Sequence, residues 1–302
     1  MKTLVKKGFA ALLALVMLTC CSKEVVESPF LNNGGTILVE AKVKDLSKAG
    51  YSSSVLPEQF VIDIIQGKGA EYDYVGVEMV KAEGDNSYSS QTELVWASPD
   101  HDGVEVKAVT LPAGVSEVEV ATDQSAEADV IASDVLGATI GKGVEIDDNT
   151  IYIAFTHLMS KLEVSYEFGA GFIDSEITVN GLELQNIGVK GSINKDDMSL
   201  SSIEPESYGN VKMYHSAAEK NAEVIFYPCV PEENPRLVIN AVIDGSECTL
   251  SCPVMPNGSV GFIGGKRYKM SVLIEKTAVS GTSATIASGW DTDTEEENFV
   301  TE

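Results

Sequence analysis

Positively charged side chains are scarce in this chain of 302 residues, where 21 lysines and arginines stand against 46 carboxylates for a formal net charge of -25. A field of that sign repels nucleic acid and anionic lipid surfaces, so neither is expected as a partner. Arginine occurs only at Arg236 and Arg267. Histidine occurs at His101, His157 and His215, none with a second His or a Cys at ligand spacing, so no metal site is expected. Gly137 to Lys142 and Gly261 to Lys266 approach a phosphate loop but lack its spacing and the following Ser or Thr. No G-x-S-x-G elbow occurs. Asp291 to Glu297 lacks the glycine of a calcium loop and reads as a solvated acidic tail. These absences describe a chain without catalysis and without a cofactor.

Long apolar runs are also missing, because the one candidate, Phe9 to Leu18, is too short to span a bilayer. Preceded by Lys2, Lys6 and Lys7, it reads as an export signal over residues 1–20. Leu18-Thr19-Cys20-Cys21 resembles a bacterial lipobox, which makes Cys21 the expected acylated first residue, with Cys20 as the competing site. A lipid anchor in the outer membrane follows, with residues 21–35 as a polar tether. Beyond it only Cys229, Cys248 and Cys252 remain, an odd number that leaves at least one thiol unpaired within the chain. Cys248 and Cys252 on one strand stand too far apart to bridge, whereas Cys229 could pair with either.

What the sequence does contain is short alternating segments. Thr36 to Lys44 places Ile37, Val39, Ala41 and Val43 on one face. Similar segments fall at residues 60–65, 74–80, 92–96, 104–110 and 115–121, separated by turn clusters. Residues 123–144 loosen into an expected loop with one helical turn. Further strands are expected at 177–184, 187–193, 224–227, 237–243, 247–252 and 267–274, with a long surface loop over 195–222. Asp244-Gly245 marks a hairpin. The pattern specifies an all-β chain with two tandem β-sandwich domains, 36–150 and 151–302, the latter ending in the acidic tail.

Between them, residues 151–168 change parity. Ile151, Ile153 and Phe155 are odd, while Leu162, Val164, Tyr166 and Phe168 are even. A strand cannot bury one face through such a change, so the chain must be re-aimed within Thr156 to Lys161.

The same stretch carries a family resemblance. Phe155-x-His157-x-Met159-Ser160-Lys161-Leu162 resembles the F-x-H-x-x-S-K-L signature of fimbrillin-like (Mfa-like) lipoproteins, the type V pilus subunits and their relatives. Asp129 to Ser133 is similar to their D-L-L-x-A element and Gly265 to Ile274 to their closing strand. Ile286 and Trp290 resemble their terminal I-x-x-W, one residue wider. The resemblance implies Greek-key, transthyretin-like sandwiches and assembly with other pilus subunits by strand donation. Projected onto this chain, Ile37, Val39, Ala41 and Val43 mark the strand to be exchanged, and Ile286, Trp290, Phe299 and Val300 mark the donor segment. His157, at a strand kink, is expected to be structural.

The function expected is that of a non-catalytic surface lipoprotein of the fimbrium, acting in adhesion toward an unspecified target. The alternative is a glycan-binding surface lipoprotein, for which Trp96 and Trp290 offer a thin aromatic inventory.

Overall fold

A computed structural model gives the architecture and describes residues 35–43, 55–83, 86–172, 176–231, 235–254, 256, 261–276 and 279–287. The first half supplies β1 (Leu38–Val43), β2 (Gln59–Ile65), β3 (Tyr74–Lys81), β4 (Ser87–Ser89), β5 (Glu105–Val109) and β6 (Glu117–Glu119). A short helix, α1 (Glu127–Ala132), precedes β7 (Leu136–Ile140), β8 (Gly143–Asp147) and β9 (Thr150–His157). Then follow β10 (Ser160–Phe168), β11 (Ile177–Gly188), β12 (Lys190–Asn194), β13 (Ser199–Leu200), β14 (Tyr208–Lys212) and β15 (Tyr214–Ser216). The last are β16 (Asn221–Phe226), β17 (Arg236–Ile243), β18 (Ser246–Pro253), β19 (Arg267–Ile274) and β20 (Val279–Ala287).

In the first unit the layers form one continuous ladder, ordered β1-β4-β3-β2-β5-β7-β8-β9 and closed by pairing of β9 with β1. Inward residues such as Phe60, Ile62, Trp96, Ile153 and Phe155 fill it, with Phe60 and Phe155 packed edge to face at 5.1 Å. The second unit has two sheets, β15-β16-β10-β19-β20 and β14-β11-β17-β18, sharing a core that includes Leu162, Leu184, Phe226, Ile239 and Tyr268. A small sheet, β13-β12-β6, joins strands from both halves of the sequence.

The parity change has a direct structural counterpart. Strand β9 buries Ile151, Ile153 and Phe155 in the first core, and β10 buries Leu162, Val164 and Tyr166 in the second. Only Leu158 and Met159 separate the strands, inside the expected window. The first unit therefore runs past residue 150, because β9 is the strand that closes its ring.

Three expectations are corrected. Residues 92–96 form no strand of their own among the described residues: they join the sheet at the Thr36–Val95 bridge and by Val95 N–H donating to Tyr74 Oη of β3, while Leu94 and Trp96 turn inward to the core. Residues 123–144 hold the expected helical turn as α1, but β7 and the start of β8 stand in place of the expected loop. Strand β7 buries Leu136, Gly137, Ala138 and Thr139 in succession, so it shows no alternation. Residues 195–222 likewise contain β13, β14, β15 and the start of β16, too short and too polar for a periodic signal.

Candidate functional site

The strand singled out by the sequence, β1, is wedged between two others. Six successive pairs join it in parallel to β9, from Leu38 opposite Thr150 to Val43 opposite Phe155. On its other side Val39 and Glu40 oppose Tyr88 and Ser87 of β4. Alternation does the rest: Ile37, Val39, Ala41 and Val43 are all buried in the first core, while Leu38, Glu40 and Lys42 face outward. Each buried branched side chain contributes about 1.5–3 kcal/mol. Removing β1 would leave a groove floored by apolar side chains and edged by the unpaired backbones of β9 and β4.

Of the expected donor residues, Ile286 lies in β20, where it opposes Tyr268 of β19 within its own subunit. Trp290, Phe299 and Val300 lie outside the described residues, as does Cys21.

The signature residues form a polar seam at the joint between the units. His157 Nδ1 stands 2.8 Å from Asp134 Oδ2, both side chains fully buried. Ser160 Oγ donates to the Ile263 carbonyl at 2.9 Å. Lys161 is fully buried on β10, its Nζ 2.9 Å from Glu223 Oε2 and 3.4 Å from Glu163 Oε1. Arg267 Nη1 adds a further contact to Glu163 at 3.7 Å. Sequence reasoning missed Asp134 as the partner of His157, although it directly follows the Asp129 to Ser133 element. Nothing local marks Lys161 as buried, since its strand neighbours Glu163 and Ser165 point the same way and alternate as a solvated face would.

Cys229, Cys248 and Cys252 are free thiols. Burial pushes Cys229 and Cys252 up to about 11, far from the range of a reactive thiolate. Trp96 is wholly inside the ring and donates its indole N–H to the Asn149 carbonyl at 3.2 Å, so it offers no platform for a sugar.

Residues 60–290 match the family model described as fimbrillin-like. The chain belongs to the fimbrillin-like family. Solved structures with the same fold accompany this match. One is a Bacteroides uniformis protein with a provisional cell-adhesion name, 14% identical, at a TM-score of 0.61 over 85% of this chain and 99% of that one. Another, from Bacteroides ovatus with the same provisional name, is 15% identical, at a TM-score of 0.56 over 89% of this chain and 99% of that one. No curated protein matches the sequence. For this fimbrillin-like chain the family match spans both units, including the joint and its polar seam.

Proposed function

We propose that this fimbrillin-like chain is a non-catalytic, surface-exposed subunit of a pilus, structural or accessory, that assembles by β-strand donation and contributes to adhesion. The observation that carries the reading is β1: one short strand, at the start of the described chain, supplies three inward side chains to a closed ring, with Ile37 just before it supplying a fourth. Its replacement by an extended segment of another subunit would restore both ladders and the core, with backbone hydrogen bonds giving affinity and alternate side chains giving specificity. The donor is assigned to the C-terminal stretch containing Ile286, Trp290, Phe299 and Val300. Because β20 engages Ile286 at home, the donating portion begins beyond it. Residues 1–20 act as the export signal, and Cys21 carries the lipid that holds the subunit in the outer membrane.

Release of β1 needs cleavage at its C-terminal end or beyond it. The resemblance implies cutting by an arginine-specific protease, as in the best-known members, and this chain has only Arg236, at the start of β17, and Arg267, at the start of β19. A shaft role therefore calls for cleavage at Lys42, Lys44 or Lys48 by a different protease, whereas an anchor, tip or stand-alone surface role keeps β1 and the lipid. The test is a denaturing gel of outer-membrane fractions, blotted for this protein with and without boiling. A ladder that collapses on boiling is the expected result, since donated strands resist detergent. A single band of monomer size in both lanes would overturn polymerisation by strand donation.

A further inference from the structure

The chain crosses between the two units more than once. After β5 it leaves the ring for β6, whose Val118, with the adjacent Val120, is buried in the second core along with Val130 of α1, before it returns as β7. Strand β12 then pairs with β6, Lys190 opposite Glu119 and Ser192 opposite Glu117. The turn at residues 195–198, between β12 and β13, reaches back to the first unit. Asp196 Oδ1 accepts from Lys107 Nζ of β5 at 2.7 Å, and Lys195 Nζ donates to the Pro112 carbonyl at 3.5 Å.

Met198 closes this turn in an unusual backbone state. Its φ is 58°, the left-handed region that turns normally give to Gly or Asn. A side chain is retained there although it strains the backbone, and such strain persists only where the surroundings impose it. The surroundings here are apolar and close. Met198 is 9% exposed, and Gly137 of β7 lies so near that a Cβ added to it would stand 3.0 Å from Met198 Sδ and from Leu158 Cδ1. Gly137 is the hole and Met198 the knob. The ion pair beside them contributes little, because Asp196 is 84% exposed and solvent screens it. The methionine side chain is thus the part of the turn that grips.

We infer that the β12–β13 hairpin is a bolt, with Met198 seated against Gly137 and Leu158, that holds the two units as one rigid body across the Leu158–Met159 joint. This device does not depend on strand donation, so either idea can fail alone. The test places genetically encoded labels, which avoid the native thiols, at the exposed positions Glu78 of β3 and Glu247 of β18 in the full chain. Pulsed electron resonance then reads their separation.

The wild type and Met198→Leu, which keeps a side chain of similar volume, should each give one narrow distance. Met198→Gly, which relaxes the backbone but empties the hole, should broaden the distribution. A Met198→Gly distribution as narrow as wild type, or a wild type already broad, would overturn the bolt. Hydrogen exchange of the unmodified chain supplies a second reading should Met198→Gly not fold. The Leu158 and Lys161 amides, bonded to the Val135 and Lys266 carbonyls, should exchange only with global unfolding. Faster local exchange at either would equally overturn it.

Discussion

His157 and Asp134 meet at 2.8 Å with neither side chain reached by solvent, one at the end of β9 and the other just past α1. Their contact ties the F-x-H-x-x-S-K-L stretch to the element upstream of it at the point where the chain changes cores. A histidine in this setting orients a strand end, and its carboxylate partner fixes the ring with Nδ1 toward Asp134. Replacing Asp134 by Ala, or His157 by Ala, leaves a buried polar group without its counter-group and should lower stability by about 1–3 kcal/mol. Urea denaturation of both single variants and the double variant checks this, since a double loss smaller than the sum marks direct coupling.

Lys161 poses a sharper electrostatic case. Lys161→Ala strands Glu223, whose side chain is only 14% exposed, and breaking a buried pair from one side costs about 3–5 kcal/mol. Lys161→Met combined with Glu223→Leu removes both charges and should recover most of that loss. Equal destabilisation of the two variants by chemical denaturation would count against a desolvated pair.

Strand β1 should behave as a separable ligand. Deletion through Val43 is expected to lower the melting temperature of the first unit, and a synthetic peptide of residues 36–44 should raise it again in proportion to peptide concentration. A Val39→Asp peptide should fail, because Val39 points into the core, while Glu40→Ala should rescue because Glu40 points out. Differential scanning fluorimetry reads all three.

The thiols predict a pH dependence. Burial raises Cys229 and Cys252 from 9.0 to about 11, so at pH 8 their thiolates are about 100-fold scarcer than in the unfolded chain. Iodoacetamide should modify the more exposed Cys248 first, as mass spectrometry will show. Between about pH 9 and 11 the folded state binds more protons than the unfolded one, so stability contributed by the neutral thiols is intact below pH 9 and is lost as pH rises through 11. Urea midpoints measured across that interval should fall.

Much of this fold is legible wherever a strand has one wet face. β1, β3, β5, β17, β18 and β19 fall within a few residues of their alternating segments, and Asp244-Gly245 adopts φ values of 50° and 81° in the hairpin it predicts. Legibility fails where both faces are buried, as in β7, or where a strand is held by partners rather than by its own pattern, as in β13 and β14. Gly143 illustrates the limit. It reads as a loop residue, yet a Cβ there would lie 2.2 Å from the Ala154 carbonyl, so the glycine exists to let β8 approach β9. The polar seam was half visible: His157 stood out by its scarcity, whereas Lys161 and Asp134 are common residue types whose burial only tertiary contacts reveal.

The parallel pairing of β1 with β9 has a mechanical consequence. Tension that pulls the N-terminal end of β1 outward and draws β9 the opposite way, through its two-residue connection to β10, acts along the strand axes. All the rungs between the two strands are then loaded in shear together instead of being unzipped one by one, so the ladder yields only when many hydrogen bonds break at once. A strand seated in the same slot with the same polarity would inherit that resistance, and a fibre built from such joints would hold hardest along the direction in which a cell is pulled from its surface.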